Sequence, residues 1–340
     1  MKKYAIGVDL GGTYTKLALV DKNGRVRCRA KLPTAAYKTK EALLAAIVAE
    51  IRAVLKKNRL SVRDLAGVGI GVPGLVAFKE GLVYSLTNVP GWKNVRLKKI
   101  LEARLSALGR KIPVLVDNDV NLMALGESRF GAGRGAKNLV CITLGTGVGG
   151  GIIIDGDLYR GTSSAAGEVG HMPLKEEGLK CNCGSFGCLE RYVGNRYIVN
   201  EIKAKIKSGR PTKIRELVRG NLSLVTPEVI SAAAKKKDAL SIECWRRVGR
   251  RIGVTLSGVI NLLNPEKIII GGGIADAGEA LFKAIRDTVN ERALPVSKGA
   301  VKIVKAKLGN DAGIVGAAAL FFLPSVVTQR SSSSASRSIT

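Results

Sequence analysis

The sequence predicts an α/β fold of two related lobes. A β-rich run, a turn of Gly and Thr, and a second β-rich run occur twice, once near the start of each half of the chain. A shift of 134 residues places Val8–Thr13 over Ile142–Gly147 and Ala18–Asp21 over Ile152–Asp155. Such self-similarity indicates a duplicated unit, although glycine-rich hairpins also resemble one another by chance. The length of 340 residues likewise suggests two domains, at about 150 residues each.

Residue patterns place the elements of the first lobe. Runs of apolar and β-branched residues predict strands, and Asn23-Gly24 predicts the tight turn of a hairpin. The predicted strands are Tyr4–Leu10, Lys16–Asp21, Arg25–Lys31, Ala66–Gly71 and Val114–Val116. Apolar residues at helical spacing predict a helix over Glu41–Lys57.

The second lobe is predicted to be richer in helices. A helix is expected over Asp119–Phe130, and the stretch from Glu190 to Leu263 is mostly helical by pattern. The strand Lys267–Ile270 runs into three glycines, and a helix follows from Gly278 to Asn290.

These elements define the predicted domain boundaries. Residues 1–117 form the N-terminal lobe and residues 118–310 form the C-terminal lobe. Residues 311–323 provide a last apolar helix. The serine-rich stretch after it predicts a disordered tail over residues 324–340.

The strongest compositional anomaly is a formal charge of +28, from 55 Lys and Arg against 27 Asp and Glu. Such an excess raises the possibility of a nucleic acid or an anionic ligand. Between Arg196 and Arg251, fifteen basic and five acidic residues leave a net +10. Aromatic residues are only 4% of the chain, and Trp245 alone interleaves with these basic clusters. We therefore expect solvated helix faces rather than a nucleic-acid surface, which uses aromatic stacking.

No membrane segment or export signal is predicted. Asp9 interrupts the first apolar run after five residues, and Pro324 breaks the uncharged stretch Ala312–Gln329. A membrane span needs roughly 20 apolar residues, so the helix before Pro324 is expected to be a buried core helix. The expected location is the reducing cytoplasm, where thiols stay unpaired.

Both glycine-rich turns have the residues of a phosphate-binding turn. In Asp9–Thr13, the two glycines would let backbone N–H groups approach an anion, and Asp9 could hold Mg²⁺ through water. The second turn, Gly145–Gly151, would approach phosphate in the same way from the other lobe. Neither has the Gly-Lys-Ser/Thr of a Walker loop, and either could be an ordinary turn. As a pair they favour a nucleotide between two lobes.

The only His in the chain lies ten residues before a cluster of three Cys. His171, Cys181, Cys183 and Cys188 form a Cys₃His set, which suits tetrahedral Zn²⁺. The alternative is three unrelated thiols and a core His. Because all four positions are filled by protein, the predicted ion is structural.

A polar segment, Asp117–Asn121, follows the predicted strand Val114–Val116 and opens a helix. Carboxylates beyond the C-terminal end of a strand are typical of ligand sites in α/β sheets. Asp and Asn are also good helix caps, and spacing alone favours that role.

In this order, the motifs resemble those of the sugar kinases of the ROK family, within the actin-like ATPase superfamily. The resemblance runs from Tyr4 to Leu323 and is strongest to bacterial glucokinases. It rests on Asp9–Thr13, Asn88–Trp92, Asp117–Asn121, Gly145–Gly151, Glu168–His171, Cys181–Glu190 and Gly271–Gly273. It implies a two-lobed, ribonuclease H-like fold with a zinc-stapled loop, in which the last helix packs on the first lobe.

The resemblance also assigns roles to residues. It implies that Asp119 is the catalytic base, that the sugar ligands surround it, and that His171 also holds the metal. The implied sugar ligands are Asn88, Asn118, Asp119, Glu168, His171 and Glu190. The predicted ATP site combines the two turns with a glycine near the adenosine: Asp9, Gly11, Gly12, Thr13, Gly145, Thr146, Gly147, Gly149, Gly150 and Gly272.

The expected activity is transfer of the ATP γ-phosphate to a hexose, first of all to the 6-hydroxyl of glucose. N-acetylmannosamine, N-acetylglucosamine, fructose and mannose remain alternative substrates. A non-enzymatic sugar-responsive regulator or nucleic-acid-binding protein is a less favoured alternative. Polyphosphate is a less favoured donor than ATP. The family also contains DNA-binding repressors, but these carry a helix-turn-helix domain before the first phosphate turn. Because that turn begins at Asp9 here, a repressor is not expected, whereas a homodimer is.

Overall fold

Two five-stranded sheets with the same arrangement form the framework of the protein. The computed structural model describes residues 3–86 and 91–322, so Asn88 and the predicted tail lie outside the described residues. The first sheet contains β1 (Tyr4–Leu10), β2 (Tyr14–Asp21), β3 (Val26–Pro33), β4 (Leu65–Val72) and, after a small sheet, β8 (Val114–Asn118). That small sheet contains β5 (Val76–Ala77), β6 (Leu82–Ser85) and β7 (Lys93–Val95). The second large sheet contains β9 (Leu139–Leu144), β10 (Val148–Ile154), β11 (Asp157–Tyr159), β12 (Lys267–Gly271) and β13 (Lys302–Lys305).

The strand order shows the duplication that the sequence predicts. The order is β3-β2-β1-β4-β8 in the first sheet and β11-β10-β9-β12-β13 in the second. In each sheet the first three strands are antiparallel neighbours, and the last two are added in parallel. The two glycine turns therefore join equivalent strand pairs, β1–β2 and β9–β10.

Eleven helices are present in the described residues. They are α1 (Lys40–Lys57), α2 (Leu97–Ser106), α3 (Asp119–Phe130), α4 (Glu190–Val193), α5 (Asn195–Lys207), α6 (Ile214–Leu217), α7 (Pro227–Lys235), α8 (Ala239–Leu263), α9 (Glu279–Arg292), α10 (Pro295–Ala300) and α11 (Ala312–Ala319). None of the helices described is long and apolar enough to cross a membrane.

Local chemistry explains where the long helices begin and what they bury. The Thr39 hydroxyl caps α1 by accepting from the Ala42 amide, and the apolar residues of α1 pack into the core of the first sheet. Asp238 caps α8 in the same way, and Asn264 in the left-handed conformation ends it. The buried face of α8 lies in the core of the second sheet, so each large sheet has its own core.

Most predicted elements are confirmed, with differences of one or two residues at their ends. The helix Asp119–Phe130 has the predicted bounds. The last helix ends at Ala319 rather than at Leu323, because the chain tightens there into i→i+3 hydrogen bonds at Phe321 and Phe322.

Helix α11 fits between α3 and the first sheet because glycine lies at each close contact. A Cβ at Gly316 would lie 1.7 Å from the Leu122 carbonyl oxygen of α3. On the sheet side, a Cβ at Gly69 would lie 1.9 Å from the Ala317 carbonyl oxygen. The backbone of α11 therefore contacts both α3 and the first sheet directly, and it connects α3 to that sheet.

We predict that Gly316→Ala lowers the free energy of unfolding by about 3 kcal/mol or more, because the new methyl group meets backbone that cannot rotate away. The matched control is Gly299→Ala in α10, where a Cβ meets nothing within 4 Å. That variant should be unchanged or up to about 1 kcal/mol more stable, since Ala favours helix. Urea denaturation of both variants measures the difference, and equal stabilities would contradict the packing described.

Candidate functional site

The first glycine turn is too tight for any side chain at its first position. The Gly11 amide donates to the Tyr14 carbonyl at 3.1 Å, and a Cβ at Gly11 would lie 2.8 Å from that oxygen. Gly12 is half-buried and Thr13 is exposed. The turn therefore presents its backbone and the Thr13 hydroxyl to the outside, as phosphate binding requires.

Asp9 lies just before this turn and close to the start of α11. A Cβ at Gly313 would lie 3.7 Å from the Asp9 carboxyl carbon. Burial raises the pKa of Asp9, and Lys16, whose Nζ is 4.0 Å from a carboxyl oxygen, opposes that rise. Asp9 is thus a carboxylate in a confined position beside the glycine turn.

The second turn is shorter than the sequence suggests. It comprises residues 145–147, closed by the Gly145 amide donating to the Gly147 carbonyl at 3.0 Å, with Thr146 exposed. The Asn195 amide at the start of α5 donates to the Gly145 carbonyl at 2.9 Å. Gly272 is adjacent, because a Cβ there would lie 2.3 Å from the Leu144 carbonyl oxygen.

Gly149 and Gly150 lie in β10 and not in the turn, which corrects the predicted extent of the turn. A Cβ at Gly149 would lie 2.6 Å from Val120 of α3, and one at Gly150 would lie 2.3 Å from the Gly167 carbonyl oxygen. Gly149 packs against α3, and Gly150 packs against the loop that contains Gly167. This close packing is sufficient to require glycine at both positions.

Asn118 caps α3, the role that spacing alone favours. Its side-chain oxygen accepts from the amides of Val120 and Asn121 at 2.9 and 3.2 Å, and its amide donates to the Gly74 carbonyl at 3.1 Å. One amide hydrogen of Asn118 is left for a ligand.

Asp119 is a carboxylate in an unfavourable environment for charge. Burial raises its pKa to about 7, and the nearby charges of Asp9 and Glu168 add to the rise. The carboxyls come from three separate segments: β1, the start of α3, and the loop after β11. A carboxyl poised near neutral pH suits a general base.

The neighbouring Asp117 has the opposite environment, and this was not evident from the sequence. Its side chain is buried, and one oxygen pairs with the Arg160 guanidinium at 2.8 Å. Its other oxygen accepts from the Asn121 side chain at 3.0 Å. Arg160 is one of 55 basic residues, and no sequence pattern distinguishes it from the others.

Glu168, His171 and Glu190 lie next to the second turn. The Val148 amide donates to Glu190 at 3.0 Å, and a Cβ at Gly170 would lie 2.1 Å from the Val148 carbonyl oxygen. The His171 Nε2 is 3.9 Å from a Glu168 oxygen. These polar groups therefore lie beside the strand pair that carries the second turn.

The Cys and His residues come together in the way a metal site requires. The ligand atoms of His171, Cys181, Cys183 and Cys188 all lie within 4.8 Å of one another. The Cys183 and Cys188 sulfurs are 3.7 Å apart, and the Cys181 sulfur is 3.7 Å from His171 Nδ1. Tetrahedral Zn²⁺ with Zn–S bonds of about 2.3 Å places its sulfurs about 3.8 Å apart. The donor set therefore fits that ion.

Glycine permits the sharp loop that closes this cluster. Gly184 and Gly187 have φ values of 96° and 70°, and a Cβ at Gly187 would lie 1.8 Å from the Lys175 carbonyl oxygen. Burial and the neighbouring thiols raise the pKa of Cys188 to about 12. A divalent cation reverses that preference, because a coordinating thiol is deprotonated.

The chain matches the ROK family over residues 5–322. It belongs to that family. Over 315 residues it is 36% identical to a glucokinase of Halalkalibacterium halodurans, and the match covers 92% of this chain and 93% of that protein.

Solved structures of the family share the fold. A ROK family glucokinase from Streptomyces griseus, in complex with glucose and AMPPNP, has a TM-score of 0.78 and 35% identity. The match covers 93% of this chain and 98% of the other. A ROK family transcriptional regulator, a homologue of the Escherichia coli MLC protein, has a TM-score of 0.83 and 30% identity, over 95% of this chain and 78% of the regulator. The chain therefore has the actin-like sugar kinase fold of the ROK family, with mixed α/β sheets.

Proposed function

We propose that the protein phosphorylates a hexose with ATP, and that glucose, giving glucose 6-phosphate, is its first substrate. The observation that carries the proposal is Asp119, a carboxyl with a pKa raised to about 7 that is influenced by Asp9 and Glu168. Its relatives support it: a glucokinase at 36% identity, and a glucokinase structure that binds glucose and AMPPNP.

In this proposal the substrates lie between two lobes. Residues 1–117 with the last helix form one lobe, and residues 118–310 form the other. The contacts of α11 with β1, β2 and β4 support the assignment of that helix to the first lobe, and α11 also packs against α3 of the other lobe. The cleft between the lobes is then bordered by the two glycine turns and the start of α3.

The sugar would be bound by Asn118, Glu168, His171 and Glu190 around Asp119, together with Asn88. Glu190 already accepts from Val148, so one of its oxygens is held and the other is available to a hydroxyl. His171 turns Nδ1 towards Cys181 and Nε2 towards Glu168. The two ring nitrogens can therefore serve the metal and the sugar separately.

The two turns would hold the ATP phosphates. The amides of Gly11 and Gly145 close the turns, so the remaining backbone amides of the two turns would supply the donors. Asp9 is the residue that would hold Mg²⁺ through water, and the ion would neutralise phosphate charge. Gly272 lies beside Leu144, which supports its assignment to the adenosine side of the second turn.

Asp119 accepts the proton of the sugar hydroxyl as that oxygen bonds to the γ-phosphorus and the bond to the ADP oxygen breaks. Phosphoryl transfer depends mainly on positioning and charge neutralisation, so Asp119 orients the hydroxyl as well as deprotonating it. Zn²⁺ in the Cys₃His set would hold the loop that carries His171 and leads into Glu190.

The test is ADP release with glucose, mannose, fructose, N-acetylglucosamine and N-acetylmannosamine, for the wild-type protein and Asp119→Asn. We expect activity that is highest with glucose. The variant should lose roughly 10²–10⁴-fold in kcat, since it cannot accept the proton. It should melt no lower than the wild type, because it removes a confined charge.

Unchanged kcat in Asp119→Asn would contradict its role as base. Because a transcriptional regulator also shares the fold, DNA binding is measured in parallel at two salt concentrations. Tight, salt-sensitive DNA binding without turnover on any sugar would favour a regulator instead.

The basic helices weaken the case for DNA binding. Glu243 pairs with Lys205, Arg210 and Arg247, and Glu201 pairs with Arg247 and Arg251. Four of the fifteen cations in this region are thus engaged by acidic residues: Lys205, Arg247 and Arg251 at the α5–α8 contact, and Arg210 from the loop after α5.

A second prediction concerns pH. Because Asp119 must be ionised to accept a proton, kcat/KM should rise with pH up to about 7 and stay level above it. Asp9→Asn removes a neighbouring negative charge and should move the inflection to lower pH. Profiles from about pH 5 to about pH 9 test this, and a level profile through that range would contradict it.

A third prediction concerns the metal. The purified protein should contain about one zinc per chain, as a complete four-ligand site implies. Cys181→Ser and Cys188→Ser should lose it, whereas Cys244→Ser, a buried thiol away from the cluster, should keep it. Metal analysis that finds no zinc in the wild type would refute the assignment.

A further inference from the structure

Arg160 connects three separate parts of the candidate site. It follows β11 of the second sheet, and its Nε and Nη2 both lie 2.8 Å from one oxygen of Asp117 at the end of β8. Its guanidinium also lies 3.6 Å from the centre of the Phe78 ring, which belongs to the link between β5 and β6. The ion pair therefore joins the second sheet to the first at the entrance to α3.

On one side, this ion pair holds a carboxylate that binds residues before and after Asp119. The side chain of Asp117 is 2% exposed, so its charge needs a partner, and Arg160 supplies it. With its other oxygen, Asp117 accepts from the Asn118 amide at 2.8 Å and from the Asn121 side chain at 3.0 Å. These residues lie immediately before Asp119 and two positions after it, so the first turn of α3 is held through Asp117.

On the other side, Arg160 begins the loop that carries Glu168 and His171. Its carbonyl accepts from the Ala166 amide at 3.0 Å and so closes the loop between them. Gly167 follows with a φ of 92° and packs on Gly150 of β10. The side chain of Arg160 thus holds the first turn of α3 through Asp117, and its backbone carbonyl closes the base of this loop.

We propose that Arg160 is a positioning residue that couples the orientation of Asp119 to that of the Glu168–His171 segment. Its effect on catalysis rests on the proposed function. Within the described part of the chain, Arg160 makes no hydrogen bond, ion pair or cation–π contact with either nucleotide turn. Loss of the Arg160 side chain should therefore change kcat and the sugar KM, and should change the ATP KM little.

The kinetic test compares Arg160→Lys and Arg160→Met with the same changes at Arg27. Arg27 is a matched control, because its Nε and Nη2 lie 3.0 and 2.7 Å from one oxygen of the buried Asp21. That pair lies at the end of β2 opposite the glycine turn. Both sites thus lose the same kind of ion pair, and only one of them adjoins Asp119.

For Arg160→Met we expect kcat to fall at least about tenfold and the sugar KM to rise severalfold, with the ATP KM within about twofold of wild type. The kinetic constants of Arg160→Lys should lie between those of the wild type and those of Arg160→Met, since Lys keeps the charge but not the planar guanidinium group. The Arg27 variants should lose thermal stability and keep kcat. Equal effects of the two sets on kcat per folded molecule would overturn the proposal.

Hydrogen exchange tests the coupling without any activity. In Arg160→Lys or Arg160→Met, amides of residues 118–121 and of residues 166–171 should both exchange faster than in the corresponding Arg27 variant. Faster exchange confined to residues 157–167 would overturn the proposal and leave Arg160 a local support of its loop. If the wild type phosphorylates no sugar, the proposed function fails, whereas the exchange result still decides the coupling.

Discussion

The site depends on the different environments of two nearby carboxyl groups, Asp117 in β8 and Asp119 at the start of α3. Asp117 is buried and neutralised by Arg160, whereas Asp119, two residues later, faces the negative charges of Asp9 and Glu168. A buried carboxylate with a cation and hydrogen bonds is held in one geometry. A carboxyl that is buried and also lies near like charges, as Asp119 does, holds its proton to higher pH. One short segment thus contains Asp117, which stabilises the structure, and Asp119, which is suited to act as a general base.

The close contacts around this segment set where the two sheets can meet. Gly149 and Gly151 of β10 admit Val120 and Ala124 of α3, and glycines on both sides of α11 admit its backbone. Because protein interiors are close-packed, a small displacement of one element is transmitted to the elements packed against it. The position of Asp119 therefore depends on strands and helices that are far away in the sequence.

For the Cys/His loop and for the basic residues, the position of each side chain in the structure, and not the composition, indicates its role. The one His offers one ring nitrogen to the thiols and the other towards Glu168, so it links the candidate metal cluster to the candidate sugar site. Some of the 55 basic residues are engaged by ion pairs between α5 and α8, so the count does not say which cations face a ligand. A large excess of charge by itself therefore identified no partner.

The sequence by itself determined what depends on local order. The strands around each glycine turn, the bounds of α3 and the four clustered Cys and His ligands follow from alternation, periodicity and spacing, which act over a few residues. Tertiary structure decided what depends on contacts between distant segments. It assigned Gly149 and Gly150 to a packed strand, ended the last helix at Ala319, and paired Arg160 with Asp117 across 43 positions. It also raised the pKa of Asp119. Burial and charge proximity produce that rise, and neither can be read from a residue's neighbours in the chain.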